Sequence, residues 1–442
     1  MAGAGPYLQR NIRPNYSLIM KIHNWNNNSR IGLLTAVLLA TGIAARSADT
    51  NSLKDAYKGH FYVGVAINGR LTSAWLQNPS QPSRDAALVL QQYNQIVPEN
   101  ELKWESVQPR EGANGYNWGA ADNFVSFGLS NNMYIVGHTL VWHAQTPGWV
   151  FQETNLAARG TNEVVAPDAA GANPAGGRRG GRGGGRGGIT GPLATREEVL
   201  QRMHDHIAAV VGRYKGKIKV WDVVNEALSE GGGNVLHDSS WTQTIGPDFI
   251  AKAFEYAHEA DPDAILRYND FNLDTSASKR RNLITMIKGL QAQHVPIMAI
   301  GSQTHVSVSG PSFAQEDQAL TEMETLGLPI HITEMDVNGA AGGQRNTSAD
   351  IGANAAATQG GLVDDANRRL AVEYSNLFRA FLKHEKYVKV VTFWGVNDAV
   401  SWRASGRPLL FDGNDQPKAA FDAVIKLVTG QTPTGQNPLL QP

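Results

Sequence analysis

Two glutamates, Glu226 and Glu334, each stand at the end of a short apolar segment of the sequence. Glu226 lies in WDVVNEA at 221–227, and Glu334 lies in HITEMDV at 331–337. Two carboxyl groups that converge on a glycosidic bond can cleave it, because one protonates the leaving oxygen while the other attacks the sugar or activates water. The pair is therefore a candidate for this chemistry, provided that the fold brings the two side chains together.

Side chains suited to sugar binding lie near the ends of the same and other apolar segments. Aromatic rings stack on the apolar faces of sugars, and amides hydrogen-bond to hydroxyls. A metal site built from histidines and the acids is the competing hypothesis, but no H-x-x-x-H pair brackets a catalytic glutamate and the chain has no cysteine. We therefore expect no metal and no cofactor. The sugar-binding candidates are Asn100, Trp142, Gln145, Asn225, Gln303, Trp394 and Trp402, and the histidines are His138, His143 and His305.

Eight apolar segments must position these residues. Nearly continuous apolar runs are typical of parallel strands that are covered on both faces. The candidate residues end six of the segments, and helical patterns separate the segments. One helix is expected to begin after Thr195, which forms a capping box with Glu198. The predicted strands are 61–66, 95–100, 133–138, 220–226, 265–270, 296–303, 329–336 and 388–395.

The alternation of eight strands with helices predicts an α/β fold, a (β/α)₈ TIM barrel that forms a single catalytic domain. A doubly wound open sheet is the rival, but no G-x-G-x-x-G motif follows a strand, which disfavours its dinucleotide-binding form. In a barrel the carboxyl ends of all eight strands meet at one mouth. The residues at the strand ends would then share one site.

Two segments interrupt the alternation, 155–192 and 337–361, and each follows a strand. The first contains GGRRGGRGGGRGG at 176–188. Neither segment can bury enough apolar surface to fold, so we predict two long flexible insertions at the mouth of the barrel. The arginines lack neighbouring aromatic platforms for RNA and the net charge is only -1, so we expect no nucleic-acid partner. A weak contact with acidic polysaccharide is the alternative to a segment without a dedicated ligand.

The first 48 residues resemble a targeting segment. Residues 31–43 are apolar but too short to span a bilayer comfortably, and Lys21 and Arg30 precede them. Small residues at 42 and 44, or at 48, fit a cleavage site. We predict a signal peptide, export to the periplasm or the medium, and no stable membrane association after cleavage; a retained anchor is the alternative. The predicted domains are 1–48, a catalytic domain at 49–430 and a tail at 431–442.

Eight ordered motifs between about residues 61 and 428 closely resemble glycoside hydrolase family 10, the retaining endo-xylanases. The resemblance implies that Glu226 is the acid/base and Glu334 the nucleophile, with carboxyl groups about 5–5.5 Å apart. It also implies a raised pKa for Glu226 and an ionised Glu334. The motifs are ENELKWE, GHTLVWHAQTPGWVF, RYKGKIKVWDVVNEAL, RYNDFN, GSQTH, ITEMDV, FWGVNDAVSWR and RPLLFDGNDQPKAAF.

The same resemblance implies roles for the residues around the two acids. Asn225 would bind the sugar 2-hydroxyl, His305 would orient the nucleophile with Asp336 behind it, and Gln303 would hydrogen-bond near the cleavage point. The expected partners are xylan and xylo-oligosaccharides. The residues expected to grip the sugars on the non-reducing side are Glu99, Asn100, Lys103 and Gln145, those of the central subsite are His138 and Trp142, and the aromatic walls are Trp394 and Trp402.

Three alternatives to an endo-xylanase remain open at this point. A β-1,4-glucanase or aryl-β-glycosidase can share the scaffold, because xylose and glucose differ by one hydroxymethyl group. A non-catalytic polysaccharide-binding protein would have lost one acid, whereas both are present. Roles for Tyr268 and Asn269 at the leaving-side sugar stay open, and Trp104, Trp118, Trp221 and Trp241 are expected in the core.

Overall fold

The computed structural model of the chain describes residues 52–153, 192–231, 233–339 and 360–430, the last range with side chains from Asp365 onward. The predicted targeting segment and the tail after residue 430 lie outside the described residues. Most of the two predicted insertions, 154–191 and 340–359, lies outside them as well.

Eight parallel strands close into a barrel, which confirms the predicted TIM-barrel fold. Seven neighbouring pairs run in the order β10-β1-β2-β3-β5-β6-β7-β9, and β9 pairs with β10 to close the ring. Two short extra strands, β4 and β8, pair with the C-terminal parts of β5 and β9. The strands are β1 Tyr62–Ile67, β2 Gln95–Pro98, β3 Tyr134–Gly137, β4 Val141–Trp142, β5 Val220–Asn225, β6 Ile265–Asp270, β7 Ala299–Ser302, β8 His305–Ser307, β9 Ile330–Asn338 and β10 Val388–Phe393.

Helices connect the strands. The capping box at the start of α6 is confirmed, because the Thr195 side chain accepts from the Glu198 N–H and the Thr195 N–H donates to the Glu198 carboxylate at 2.7 Å. No helix in the described ranges combines the length and apolarity needed to cross a membrane. The helices are α1 Leu53–Ala56, α2 Gly69–Gln77, α3 Arg84–Gln92, α4 Trp104–Val107, α5 Gly119–Ser130, α6 Arg196–Arg213, α7 Ser240–Thr244, α8 Phe249–Ala260, α9 Ala277–Ala292, α10 Phe313–Glu324, α11 Gly360–Lys383 and α12 Ala419–Thr429.

The core has two layers. A large cluster fills the space between the barrel and the helices, and it includes Trp104, Trp221 and Trp241 as the sequence predicts, while Trp118 packs against its edge. A small separate cluster consists of Ala66, Val97, Val136 and Val220, one residue from each of β1, β2, β3 and β5. The strands are covered on both faces, which is why their sequences are nearly continuous apolar runs with few polar residues.

Several boundaries differ from the predicted ones. Strands β2, β5 and β10 end before Glu99, Glu226 and Trp394, so these residues begin loops rather than end strands. β9 extends to Asn338 and α11 begins at Gly360, so the predicted insertion at 337–361 is shorter at both ends. The ends of the other insertion meet, because Gln152 and Leu193 form an antiparallel bridge.

Candidate active site

Glu226 and Glu334 come together at the C-terminal end of the barrel. Glu226 follows β5 directly, with its backbone in the left-handed region at φ 55° and its N–H bonded to the Asn269 carbonyl at 2.9 Å. Glu334 lies within β9, and its N–H donates to the Gln303 carbonyl at 3.1 Å. Both side chains are buried, so neighbouring strands and not solvent fix their positions.

The surroundings of Glu226 favour the protonated acid. Trp142 Nε1 donates to Oε2 at 2.8 Å, and Gln303 Nε2 donates to Oε1 at 2.9 Å. Burial raises the pKa of Glu226, the negative charges of Asp270 and Glu334 raise it further, and the two hydrogen bonds offset only part of the rise. A carboxyl group in this state can hold a proton near neutral pH and give it to a leaving group.

The surroundings of Glu334 favour the ionised carboxylate. Asn269 Nδ2 donates to Oε1 at 2.7 Å, and His305 Nε2 lies 3.3 Å from Oε2. Burial alone would raise the pKa of Glu334, but the His305 hydrogen bond and the positive fields of His138 and His305 outweigh it, so the pKa is lowered. An ionised carboxylate beside a protonated one is the division of labour that two-step glycoside hydrolysis requires.

His305 is held as a cation between two carboxylates. Its Nδ1 lies 3.1 Å from Asp336 Oδ2, opposite the contact to Glu334. Burial would lower the pKa of His305, but Asp336 and Glu334 together raise it to about 9. Asp336 in turn accepts from Trp402 Nε1 at 2.7 Å and from Arg403 at 2.9 Å. This chain fixes the imidazole against Glu334 and links it to the predicted aromatic wall.

Three amides bridge the two glutamates. Asn269 Nδ2 donates to Asn225 Oδ1 at 2.8 Å and also to Glu334. Gln303 Nε2 bonds to Glu226 and lies 3.4 Å from the same oxygen of Asn225. The Asn225 carbonyl oxygen is therefore saturated by donors, which orients its NH₂ group for another acceptor.

Asn269 and Tyr268 are fully buried and bonded to neighbouring protein groups, not placed at the leaving-side sugar. Asn269 is fully buried between Asn225 and Glu334, so it orients the Glu334 carboxylate. The Tyr268 hydroxyl donates to Asp270 at 2.5 Å and accepts from the N–H groups of Ala227 and Leu228, which fixes the chain after Glu226. In the sequence both residues lie at the polar end of a strand. That pattern does not distinguish a residue that binds sugar from one that holds a neighbouring protein group.

His138 belongs to a buried ionic chain that the sequence did not reveal. The Nδ1 atom of His138 lies 3.1 Å from Asp222. Arg267 donates two hydrogen bonds to the Asp222 carboxylate, at 2.7 and 2.9 Å. Burial would raise the pKa of Asp222, but Arg267 and His138 together lower it to about 2. The ring of His138 meets that of Trp394 edge-on at 5.4 Å. Asp222 therefore orients His138 at the base of the cleft.

Three of the residues predicted for the non-reducing side, Glu99, Asn100 and Lys103, form a second group near Trp142. Lys103 Nζ donates to Asn100 at 3.0 Å and lies 5.1 Å from the Trp142 ring centre. Burial lowers the pKa of Lys103 despite the opposing pull of Glu334 and Glu226. Burial and the charge of Glu101 raise the pKa of Glu99 to about 7. The buried Lys103 ammonium is therefore available to a polar ligand that takes the place of water.

The remaining predicted residues lie at the edges of the cleft. Trp394 and Trp402 are half-buried, and each meets the His305 ring edge-on, at 6.4 and 5.0 Å. Gln145 has a left-handed backbone at φ 46°, and its carbonyl accepts from the N–H of Glu105 at 2.9 Å. His143 of the competing metal hypothesis packs against His237 at 4.6 Å, and burial lowers its pKa to about 4. In the described ranges no group of three or more ligating side chains could hold a metal.

Comparison with known proteins places this geometry in a family. The model of "Glycosyl hydrolase family 10" matches residues 52–427. A beta-1,4-xylanase of Dictyoglomus thermophilum is 33% identical over 90% of this chain and 99% of its own length. Endo-1,4-beta-xylanase A of Caldicellulosiruptor sp. is 36% identical over 85% of this chain, and the match spans 47% of that longer relative.

A solved structure gives the same result for the fold. The intracellular xylanase TsXylA of Thermoanaerobacterium saccharolyticum, in complex with xylotetraose, superposes with a TM-score of 0.67. It is 33% identical, and the alignment covers 84% of this chain and 98% of that one.

Proposed function

The chain belongs to glycosyl hydrolase family 10, and from this premise we propose that it is an endo-1,4-β-xylanase that retains anomeric configuration. The observation that carries the proposal is the opposite environment of the two glutamates. The surroundings of Glu226 raise its pKa while those of Glu334 lower its pKa. Glu226 can thus protonate the leaving oxygen, and the Glu334 carboxylate can attack the anomeric carbon.

The first step forms a covalent intermediate. Glu226 donates its proton to the leaving glycosidic oxygen while the Glu334 carboxylate attacks the anomeric carbon from the opposite face. The bond from that carbon to the leaving oxygen breaks, and an ester bond to Glu334 forms. Asn269 and His305, which contact the two oxygens of Glu334, hold the nucleophile in its attacking position.

The second step releases the sugar. Glu226, now ionised, removes a proton from water, and the water oxygen attacks the anomeric carbon and displaces the Glu334 carboxylate. Two inversions give net retention. Asn225, whose carbonyl is occupied by Asn269 and Gln303, points its NH₂ group toward an acceptor, and the sugar 2-hydroxyl is the proposed one.

Xylan is the proposed substrate, with xylo-oligosaccharides as shorter ones. Trp142, Trp394 and Trp402 supply aromatic surface, and the buried Lys103, bonded to the exposed Asn100, supplies polar contacts. The relative that has been crystallised with xylotetraose supports this substrate class, because its fold and 33% of its residues match.

The mature enzyme is proposed to be exported. Support comes from the positive and apolar pattern of residues 21–43 and the small residues at 42, 44 and 48. The intact mass of the protein recovered from the culture medium and periplasm tests this proposal. A mass equal to that of a chain cleaved after residue 44 or 48 supports export. Full-length protein found only in the cytoplasm contradicts it.

The activity itself is tested by reducing-sugar release from xylan and from carboxymethylcellulose. Glu334→Ala should abolish release, while Glu105→Ala, which removes an exposed carboxylate, should leave release unchanged. Fast release from xylan alone is the expected result. Release from carboxymethylcellulose alone would identify the enzyme as a glucanase with the same mechanism. Release by Glu334→Ala at the wild-type rate would contradict the assignment of Glu334 as the nucleophile.

A further inference from the structure

A cavity of about 460 Å³ opens at the N-terminal end of the barrel, opposite the candidate active site. Its lining residues stand at the beginnings of strands: Tyr62 begins β1, Tyr134 begins β3 and Ile265 begins β6. Active sites of this fold lie at the other end, so the cavity is not part of the cleft described above. Its volume is in the range of small-molecule sites.

An aromatic surface forms one wall of the cavity. Tyr62 and Tyr134 stack with their ring centres 4.5 Å apart and an interplanar angle of 25°. Tyr62 is 44% exposed, so part of its ring is accessible to a ligand. Phe61, Ile265 and Val390 add apolar surface. A planar ring can therefore pack in the cavity beside the tyrosine pair.

A buried hydrogen-bond donor lines the cavity as well. His331 is only 2% exposed, and Arg267 donates to its Nδ1 at 3.0 Å. Burial and the charge of Arg267 lower the pKa of His331 to about 3, so the ring is neutral and carries its proton on Nε2. Among the described residues no acceptor pairs with this N–H. This N–H is therefore free to donate to a ligand in the cavity.

The rim of the cavity is cationic. Lys58 and Lys389 line it, and none of the twelve lining residues, all in the described ranges, is an aspartate or glutamate. The side-chain carboxylate of the nearby Glu385 contacts His60 Nδ1 at 2.5 Å. Lys389 Nζ donates instead to the backbone carbonyl of Glu385, at 2.9 Å. In the described part of the chain neither lysine has a carboxylate partner, so both charges are available to an anion.

We propose that this cavity binds an aromatic carboxylate, with its ring against the tyrosine pair, its carboxylate near Lys58 and Lys389, and a polar ring substituent accepting from His331. An aromatic acid fits better than a sugar acid, because apolar side chains supply much of the wall and would leave sugar hydroxyls without partners. The proposed binding does not rest on the hydrolase activity, because the cavity shares no lining residue with the cleft; Arg267 alone contacts both His331 of the cavity and Asp222 below the cleft.

The test is calorimetric titration of the full chain with 4-hydroxycinnamate. Saturable binding of one equivalent is expected. The Lys58→Met/Lys389→Met double variant and the uncharged methyl ester should each bind about tenfold more weakly, because removing two exposed charge contacts costs roughly one to two kcal/mol. Tyr62→Ala should weaken binding about threefold or more through the lost ring contact. Lys288→Met, which removes an exposed lysine on α9, is the matched control and should bind as the wild type does.

Four results would overturn the proposal. They are no saturable binding, equal binding by the double variant and the wild type, displacement of the probe by xylotetraose, and glucuronate binding as tightly as the aromatic acid. The third would place the probe in the catalytic cleft, and the fourth would replace the aromatic acid by a sugar acid. Circular dichroism of each variant separates lost binding from lost folding.

Discussion

At the scale of single residues, Glu226 and Glu334 are two buried carboxyl groups whose neighbours move their pKa values apart. The difference arises from what each oxygen contacts. Glu226 accepts from neutral donors, Trp142 and Gln303, whereas Glu334 contacts the cationic His305. Catalysis needs a protonated Glu226 and an ionised Glu334, so activity should fall as pH rises through the pKa of Glu226 and as pH falls through that of Glu334.

Gln303→Met should move the alkaline limb of the kcat/KM profile to higher pH. The Gln303 hydrogen bond stabilises the ionised form of Glu226 and so holds its pKa down. Without that bond the pKa of Glu226 rises further, and the acid stays protonated at higher pH. The measurement is the pH profile of hydrolysis of an aryl xylobioside. A limb that stays in place or moves to lower pH would contradict this account.

Asp274 holds the segment that carries Gln303 and His305. Its Oδ1 accepts from Thr304 Oγ1 at 2.8 Å and from Ser302 Oγ at 3.2 Å. Thr304 has φ 58°, an unfavourable conformation for a β-branched residue. The two hydroxyl contacts on either side of Gln303 fix the backbone there, so Asp274 is a positioning residue that does not itself touch the sugar.

Asp274→Ala should lower kcat by about tenfold or more with little change in KM, because small displacements of catalytic groups are costly to rate. Asp274→Asn keeps an acceptor oxygen for the two hydroxyls and should restore most of the rate. Steady-state kinetics of both variants on xylotetraose, with thermal melts beside them, make the comparison. Equal loss in the two variants, or an unchanged kcat in the alanine variant, would show that the contacts do not position the site.

At the scale of elements, the packing of α10 and α11 against the barrel buries carboxyl groups that lie close to one another. Glu316 of α10 is fully buried, and burial and the nearby Asp274 raise its pKa well above the usual value, with Glu373 adding to the effect and Arg280 opposing it. Burial also raises the pKa of Glu373 of α11 to about 7. The raised pKa values favour the neutral carboxyl groups in the folded state, whereas the unfolded chain releases their protons at lower pH.

Glu316→Gln should make stability less dependent on pH. The raised pKa of Glu316 means that its stabilising contribution is complete below about pH 4.5 and is lost as pH rises through the folded-state value. The variant lacks this titration, so its stability relative to the wild type should improve from pH 5 to pH 9. Urea unfolding at both values measures it, and Glu105→Gln, at an exposed position, is the control. Parallel pH dependence of variant and wild type would contradict the prediction.

The strands and their partners explain which site residues could be predicted from the sequence. Glu226 and Glu334 were predictable because a charged residue beside an apolar strand is a local pattern. Asn269 and Asp222 were not assigned their roles, because these depend on partners 65 and 45 positions away, Glu334 and Arg267. A strand pattern shows which residues are buried, whereas the partner across the barrel follows only from closure of the sheet.

At the scale of the whole molecule, the first predicted insertion leaves the barrel and returns at one place. The Glu153 N–H donates to the Pro192 carbonyl at 2.9 Å, and the Ala194 N–H donates to the Phe151 carbonyl at 3.0 Å. These bonds join the two flanks directly, so the closed ends define a point at which the chain can be shortened.

Deletion of residues 157–191 should therefore leave the fold and the hydrolysis of neutral xylan intact, with rates within about twofold of the wild type and a melting temperature within a few degrees. Comparing neutral and glucuronic-acid-decorated xylan across salt concentrations tests the alternative role of the arginine–glycine run. A variant that no longer folds would contradict the structural argument, and an unchanged preference between the two xylans would remove the polysaccharide-contact hypothesis.

The central claim is that Glu334 forms a covalent bond to the substrate during a two-step reaction. The most direct measurement is mass spectrometry of the enzyme after incubation with a 2-deoxy-2-fluoro-xylobioside that carries an activated leaving group, which slows the second step. The account predicts one added disaccharide per chain, mapped to the peptide that contains Glu334. An adduct on another residue, or no adduct while the leaving group is released continuously, would contradict it.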